Sequence, residues 1–254
     1  MSEGAARDAL VAYLDAYLDV AGWSDKSLNG LQVEGGDRVS RVALATDTAL
    51  ATIAMAVEAD AQMMVAHHGL FWGRVEPVTG PMRARLAALI EADLSLYVSH
   101  LPLDAHPEVG NNAVLARLLG LADVEPFGRW GDRAIGVLGR LPETLDRSGL
   151  AARIEALLGA RPDVLAFGGE AIRRVAVVSG AAADLIPEAE SVGADAFITG
   201  ETSHTAYHQA RERGVNVVFA GHYATETLGV RALGDHLARK FGLETVFLDV
   251  PTGY

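Results

Sequence analysis

A chain of 254 residues, half of them hydrophobic, can bury a full core as one large domain or as two smaller lobes. Its net charge of −12, with no basic run, excludes an extended nucleic-acid or anionic-membrane surface, since both need clustered lysine and arginine. With no cysteine, disulfides and thiolate ligands are excluded, and His, Asp and Glu remain as the strong metal donors. No apolar run approaches the roughly 20 residues that cross a bilayer. The start, MSEGAARDAL, lacks the basic head and apolar core of a signal peptide, so a cytoplasmic protein is expected. A small phosphorylated substrate stays compatible with the charge, because bound metal and arginines such as Arg74, Arg83 or Arg129 offset it locally.

Residues 5–20 place Leu10, Tyr13, Leu14, Tyr17 and Leu18 at helical spacing, and a polar loop with Asn29, Gly30, Leu31 and Gln32 follows. Residues 41–45 read as a buried strand leading to Thr46, Asp47 and Thr48, a helix start that Asp47 or Thr48 can cap, with Asp47 also placed to meet a ligand. Residues 63–66 form another strand and run into His67, His68 and Gly69, the glycine supplying the turn. Neighbouring side chains on a strand point to opposite faces, so the two histidines serve one site only where the strand ends. They are either metal ligands or imidazoles satisfied by backbone carbonyls. A helix is predicted over 82–92 and a strand over 94–99, opening into a proline-interrupted loop with His100, Asp104 and His106. Gly110, Asn111 and Asn112 lead into the next helix.

Pro126, Phe127 and Gly128 read as a joint between lobes of about 1–126 and 127–254. The second lobe echoes the first. Arg41-Val42-Ala43 is matched by Arg174-Val175-Ala176, and Ala59-Asp60-Ala61 by Ala194-Asp195-Ala196. His100 and Asp104 are matched by His222 and Glu226, which share a helix face four residues apart. The expected fold is α/β, two similar lobes related by an internal repeat, with strand ends converging on one site. Residues 244–248 would form the last strand. The donor set His67, His68, His100, Asp104, His222 and Glu226 exceeds the three or four ligands of a mononuclear site and points to two metals.

The motifs NGLQVEG from Asn29, VAHHG, HLPLDAHPEVGNN from His100, ITGE from Ile198 and GHYATE from Gly221 together resemble the Nif-three-like dinuclear-metal family. Its members are often named GTP cyclohydrolase type two homologues, and the likeness is greatest to short bacterial members. The resemblance spans the chain. It implies that His67, His68, Asp104, His222 and Glu226 bind two divalent metals, with Glu226 bridging, inside a toroidal homohexamer. Where many members read HTNLD, this chain has His100-Leu101-Pro102-Leu103-Asp104, which keeps the ligands and changes the substrate contacts. Glu201 and His208 fall near positions that would contact substrate or support ligands, as does Asp47.

The expected activity is metal-dependent hydrolysis of a nucleotide or related small molecule, with His100 either carrying a proton or holding Asp104 by a hydrogen bond. Damaged nucleotides or phosphoesters are alternative substrates, and metal storage or delivery without a substrate is the non-enzymatic alternative. Zinc, manganese, iron, cobalt and nickel all suit these ligands.

Overall fold

In the computed structural model, residues 4–254 are described. They form two compact units, one reaching Leu103 and taking in Gly229–Val250, the other comprising Asp104–Leu228 and Pro251–Tyr254. The chain runs through β1 (Ala5–Ala6), α1 (Arg7–Tyr17), β2 (Gly30–Val33), β3 (Arg38–Val39), β4 (Arg41–Asp47), α2 (Leu50–Glu58), β5 (Met63–His68), α3 (Gly80–Glu91) and β6 (Ser95–Val98). It continues through α4 (Leu101–Asp104), α5 (Asn111–Leu119), β7 (Ala122–Trp130), β8 (Arg133–Leu145), α6 (Arg147–Leu158), β9 (Asp163–Ala166), β10 (Ile172–Val177) and α7 (Ile186–Ser191). Last come β11 (Ala196–Thr199), α8 (Ala206–Arg213), β12 (Asn216–Phe219), α9 (His222–Phe241) and β13 (Glu244–Phe247).

The sheet of the first unit has the order β13-β4-β5-β6-β2. Its four leading strands are parallel and β2 is antiparallel to β6. Central parallel strands are covered on both faces, which is why β4 and β5 are nearly continuous apolar runs. One face carries Ala43, Ala45, Met64, Ala66, Leu96 and Val98 in a buried cluster with Ile53 and Ala56 of α2 and Leu89 of α3. On the other, α9 packs close enough that a Cβ on Gly234 would lie 2.0 Å from Leu44 Cδ1. There Tyr97, fully buried, donates its phenol to Asp15 of α1 at 2.8 Å.

The sheet of the second unit has the order β7-β8-β10-β11-β12-β9. Strands β10, β11 and β12 are parallel, flanked by antiparallel β8 and β9. Asp146 caps α6 by accepting from Gly149 N at 2.6 Å. Gly120 ends α5 in the left-handed conformation.

Several expectations are corrected. Pro126 to Gly128 are not a joint: they lie within β7, half of a hairpin with β8, and Gly128 N donates to Glu188. The final strand belongs to the first unit, because α9 passes out of the second and delivers β13 to the edge of β4. Asp47 does not cap α2; Thr52 Oγ1 accepts from Ala49 N at that end. The polar loop holding NGLQVEG contains β2, and a short helix, α4, stands where an irregular loop was expected after His100. Among the described residues no helix is long and apolar enough to cross a membrane.

Replacing Tyr97 with Phe should lower the unfolding free energy by about 0.5–1.5 kcal/mol in urea titration, by removing the donor to Asp15.

Candidate functional site

His67 and His68 are the last two residues of β5, where the sheet gives way to loops. His67 is fully buried, whereas 17% of the His68 side chain is exposed. Their ring centroids are 4.8 Å apart, and the His100 ring lies 5.1 Å from His67 and 5.7 Å from His68. One nitrogen from each of the three imidazoles lies within 4.8 Å of the others. His100, expected to carry a proton or to hold Asp104, thus stands with His67 and His68 in the first unit.

The hydrogen bonds behind these rings fix what each can do. His67 Nδ1 lies 3.0 Å from the carbonyl of Ser99. His68 Nδ1 lies 2.8 Å from Asp47 Oδ1, and His100 Nδ1 is 3.0 Å from both carboxylate oxygens of Asp25. Carbonyls and carboxylates only accept, so each Nδ1 must donate and the lone pair of the neutral ring sits on Nε2. A metal-binding imidazole is oriented in this way, one N–H held by an oxygen and the other nitrogen presented. The donor chemistry of this cluster therefore fits a divalent cation.

Asp25 is not singled out by any local motif. Its side chain is 3% exposed and also accepts from Ser27 N, Asn29 Nδ2 and Leu101 N. Burial works to raise its pKa, but hydrogen bonds from His100, Asn29 and Ser27 outweigh that and hold it well below the usual carboxylate range. The first motif has a structural reading too. Asn29 Oδ1 accepts from His100 N at 2.7 Å, and Gln32 Oε1 accepts from Leu70 N at 2.8 Å. A Cβ on Gly69 would lie 2.4 Å from Gln32 Nε2 and 2.7 Å from Val98 Cγ2, so the close approach of these side chains, and not a left-handed turn, suits the position to glycine.

In the second unit Asp104 ends α4 and is nearly buried. Its Oδ1 accepts from Asn111 Nδ2 and Ser179 Oγ, both at 2.8 Å. Asn112 braces the same corner, accepting from Ser179 N at 2.7 Å and donating to Ile135 O at 2.6 Å. His222 and Glu226 share the first turn of α9. His222 Nε2 is 3.0 Å from Glu226 Oε2, and its Nδ1 is 3.1 Å from Glu201 Oε2. Burial opposes the charge on His222, but Glu226 and Glu201 prevail and push its pKa up to about 9. A Cβ on Gly180 would lie 2.2 Å from Glu226 Oε1, so only glycine leaves room for that carboxylate. His208 lies on the exposed side of α8, its ring edge-on to Tyr207 at 5.4 Å.

These features define an α/β protein with histidine and carboxylate donors gathered at strand ends. The profile of DUF34/NIF3 (NGG1p interacting factor 3) matches residues 5–253, and the chain belongs to that family. A Deinococcus radiodurans protein named GTP cyclohydrolase 1 type 2 homolog is 49% identical over 247 residues, covering 97% of this chain and 94% of its own. A Pyrococcus abyssi protein of the same name is 48% identical, covering 97% of this chain and 99% of its own. The crystal structure of TTHA1606 from Thermus thermophilus matches with a TM-score of 0.92 at 46% identity, covering 98% of this chain and 100% of that one.

Replacing Asp25 with Ala strands the donors that converge on it and should cost about 2–4 kcal/mol of stability at pH 7. Because the folded carboxyl titrates below its unfolded value, its contribution is fully present above about pH 4 and fades as pH falls further. Parallel denaturant titrations of both proteins should show the gap constant from pH 7 to about 5 and shrinking below pH 4.

Proposed function

We propose that the chain binds two divalent metal ions through His67, His68, Asp104, His222 and Glu226, and hydrolyses a nucleotide or related small molecule. The observation that carries this reading is the locking of the imidazoles of His67 and His68, each with Nδ1 donated to an oxygen. Family membership supports it, as does the name GTP cyclohydrolase 1 type 2 homolog borne by relatives almost half identical to this chain. So does the gathering of Glu226 and Glu201 about His222, where a metal would replace the proton that the imidazole carries between them and leave a ring nitrogen to bind it.

When bound, such metals supply Lewis acidity and a water acidified to near-neutral pKa. The protein's share is positioning and proton handling. Asp25 holds His100 through Nδ1, so Nε2 is the atom that takes or gives a proton. Asp47 orients His68, and Asn111 with Ser179 fixes the Asp104 carboxylate. With GTP as substrate, hydrolysis of both C8–N bonds of the guanine imidazole ring, one water opening the ring and a second cleaving the resulting formamide, would release C8 as formate. Damaged nucleotides and phosphoesters are the neighbouring substrate classes. Two similar lobes, a cytoplasmic location and a toroidal homohexamer complete the proposal, the last open to solution scattering at micromolar protein. The position of His100 beside His67 and His68 favours one further reading: as an added ligand it would help close the coordination shell and suit a metal-storing or delivering assembly.

Metal content by plasma mass spectrometry and formate release from GTP test these readings together. The expected result is two metals per chain, formate from the wild type, and loss of both in Glu226→Gln. His100→Ala should keep its metal and lose about a hundredfold or more in turnover. A fully metallated wild type that releases no formate removes GTP as the substrate. Metal lost from His100→Ala places that residue in the ligand shell and favours metal handling.

A further inference from the structure

The loop after β5 carries an indole that the metal reading does not use. Trp72 sits 5.1 Å, ring to ring, from His100 in an edge-on arrangement and 5.8 Å from His68. Even so, 38% of it is exposed. It is anchored and not merely displayed. Its Nε1–H donates to Gly69 O at 3.0 Å, and the carbonyl of neighbouring Phe71 accepts from Leu28 N at 2.9 Å. The indole's only polar atom is thereby spent inside the protein, and its exposed part offers an apolar aromatic surface. The two imidazoles it borders, His68 and His100, are polar and tied to oxygen acceptors. A large aromatic ring left open beside such a group gains by stacking a flat partner.

We propose that Trp72 is the ring-binding wall of the site, stacking a planar heteroaromatic portion of the substrate and selecting it over an aliphatic phosphoester. This rests on the hydrolase reading and narrows its substrate class. Trp72 here is a specificity-determining residue and moves no proton.

Calorimetry on the metal-loaded protein tests it with two probes, guanosine 5′-monophosphate and ribose 5-phosphate, which differ by the base. The wild type should bind the nucleotide about tenfold or more tightly than the sugar phosphate. Trp72→Ser should weaken the nucleotide alone and bring the two within about threefold, while Trp72→Phe keeps most of the preference. Equal weakening of both probes, an unchanged ratio in Trp72→Ser, or binding of neither probe by the wild type overturns the proposal. Metal content measured on each sample separates the readings. A wild type that takes up no metal contradicts the metal reading itself, whereas metal lost only from Trp72→Ser makes the indole a support of His68 and His100 and overturns the stacking role.

Discussion

The histidine cluster of the first unit depends on the register of three parallel strands. Val42 stands beside Met63 and Met63 beside Ser95, which sets Asp47 next to His68 at the end of β4 and β5. In the same register the residue after Val98 is Ser99, whose N donates to Ala66 O and whose carbonyl meets His67 Nδ1. A slip of one residue would turn Asp47 and His68 to opposite faces and take the acceptor away from His67. Strand pairing, an ordinary consequence of burying apolar runs, thus decides which nitrogen of His67 and of His68 faces outward.

The donors of the second unit rest on close packing and charge. Gly180 allows Glu226 to approach the backbone after β10, and Thr225 Oγ1 accepts from Gly180 N at 3.1 Å. His222, between Glu201 and Glu226, is held charged despite its burial. A divalent ion would find two carboxylates already gathered there and would displace the His222 proton on binding. Asp104 is shaped differently, by neutral amide and hydroxyl donors that orient it without adding a competing cation.

Much of this is legible in the sequence, and for stated reasons. Strand runs ending in His67-His68, and the four-residue spacing of His222 and Glu226, follow from the periodicities of strand and helix. Asp25 is not legible, because its partner His100 lies 75 positions away and nothing local marks the contact. Asn111 and Asn112 read as a helix start, although both are buried and hold Asp104 and Ser179. Gly69 reads as a turn, yet the close approach of Gln32 and Val98 is what suits it to glycine. The return of β13 to the first unit escapes a linear reading, since chain order does not reveal which sheet edge a last strand will join.

His106 gives an internal contrast to the three clustered imidazoles. Its Nδ1 accepts from the backbone N–H of Glu108 and Val109, both at 3.2 Å, so its proton sits on Nε2 and the ring serves the turn. The most direct measurement is a long-range proton–nitrogen correlation spectrum of the metal-free, nitrogen-labelled protein, which reads the tautomer of each ring. Nδ1-protonated rings are expected at His67, His68 and His100 and an Nε2-protonated ring at His106. Nε2-protonated rings at the three clustered positions would mean that their lone pairs face Ser99, Asp47 and Asp25, and would contradict the claim that the fold presents Nε2 to a metal.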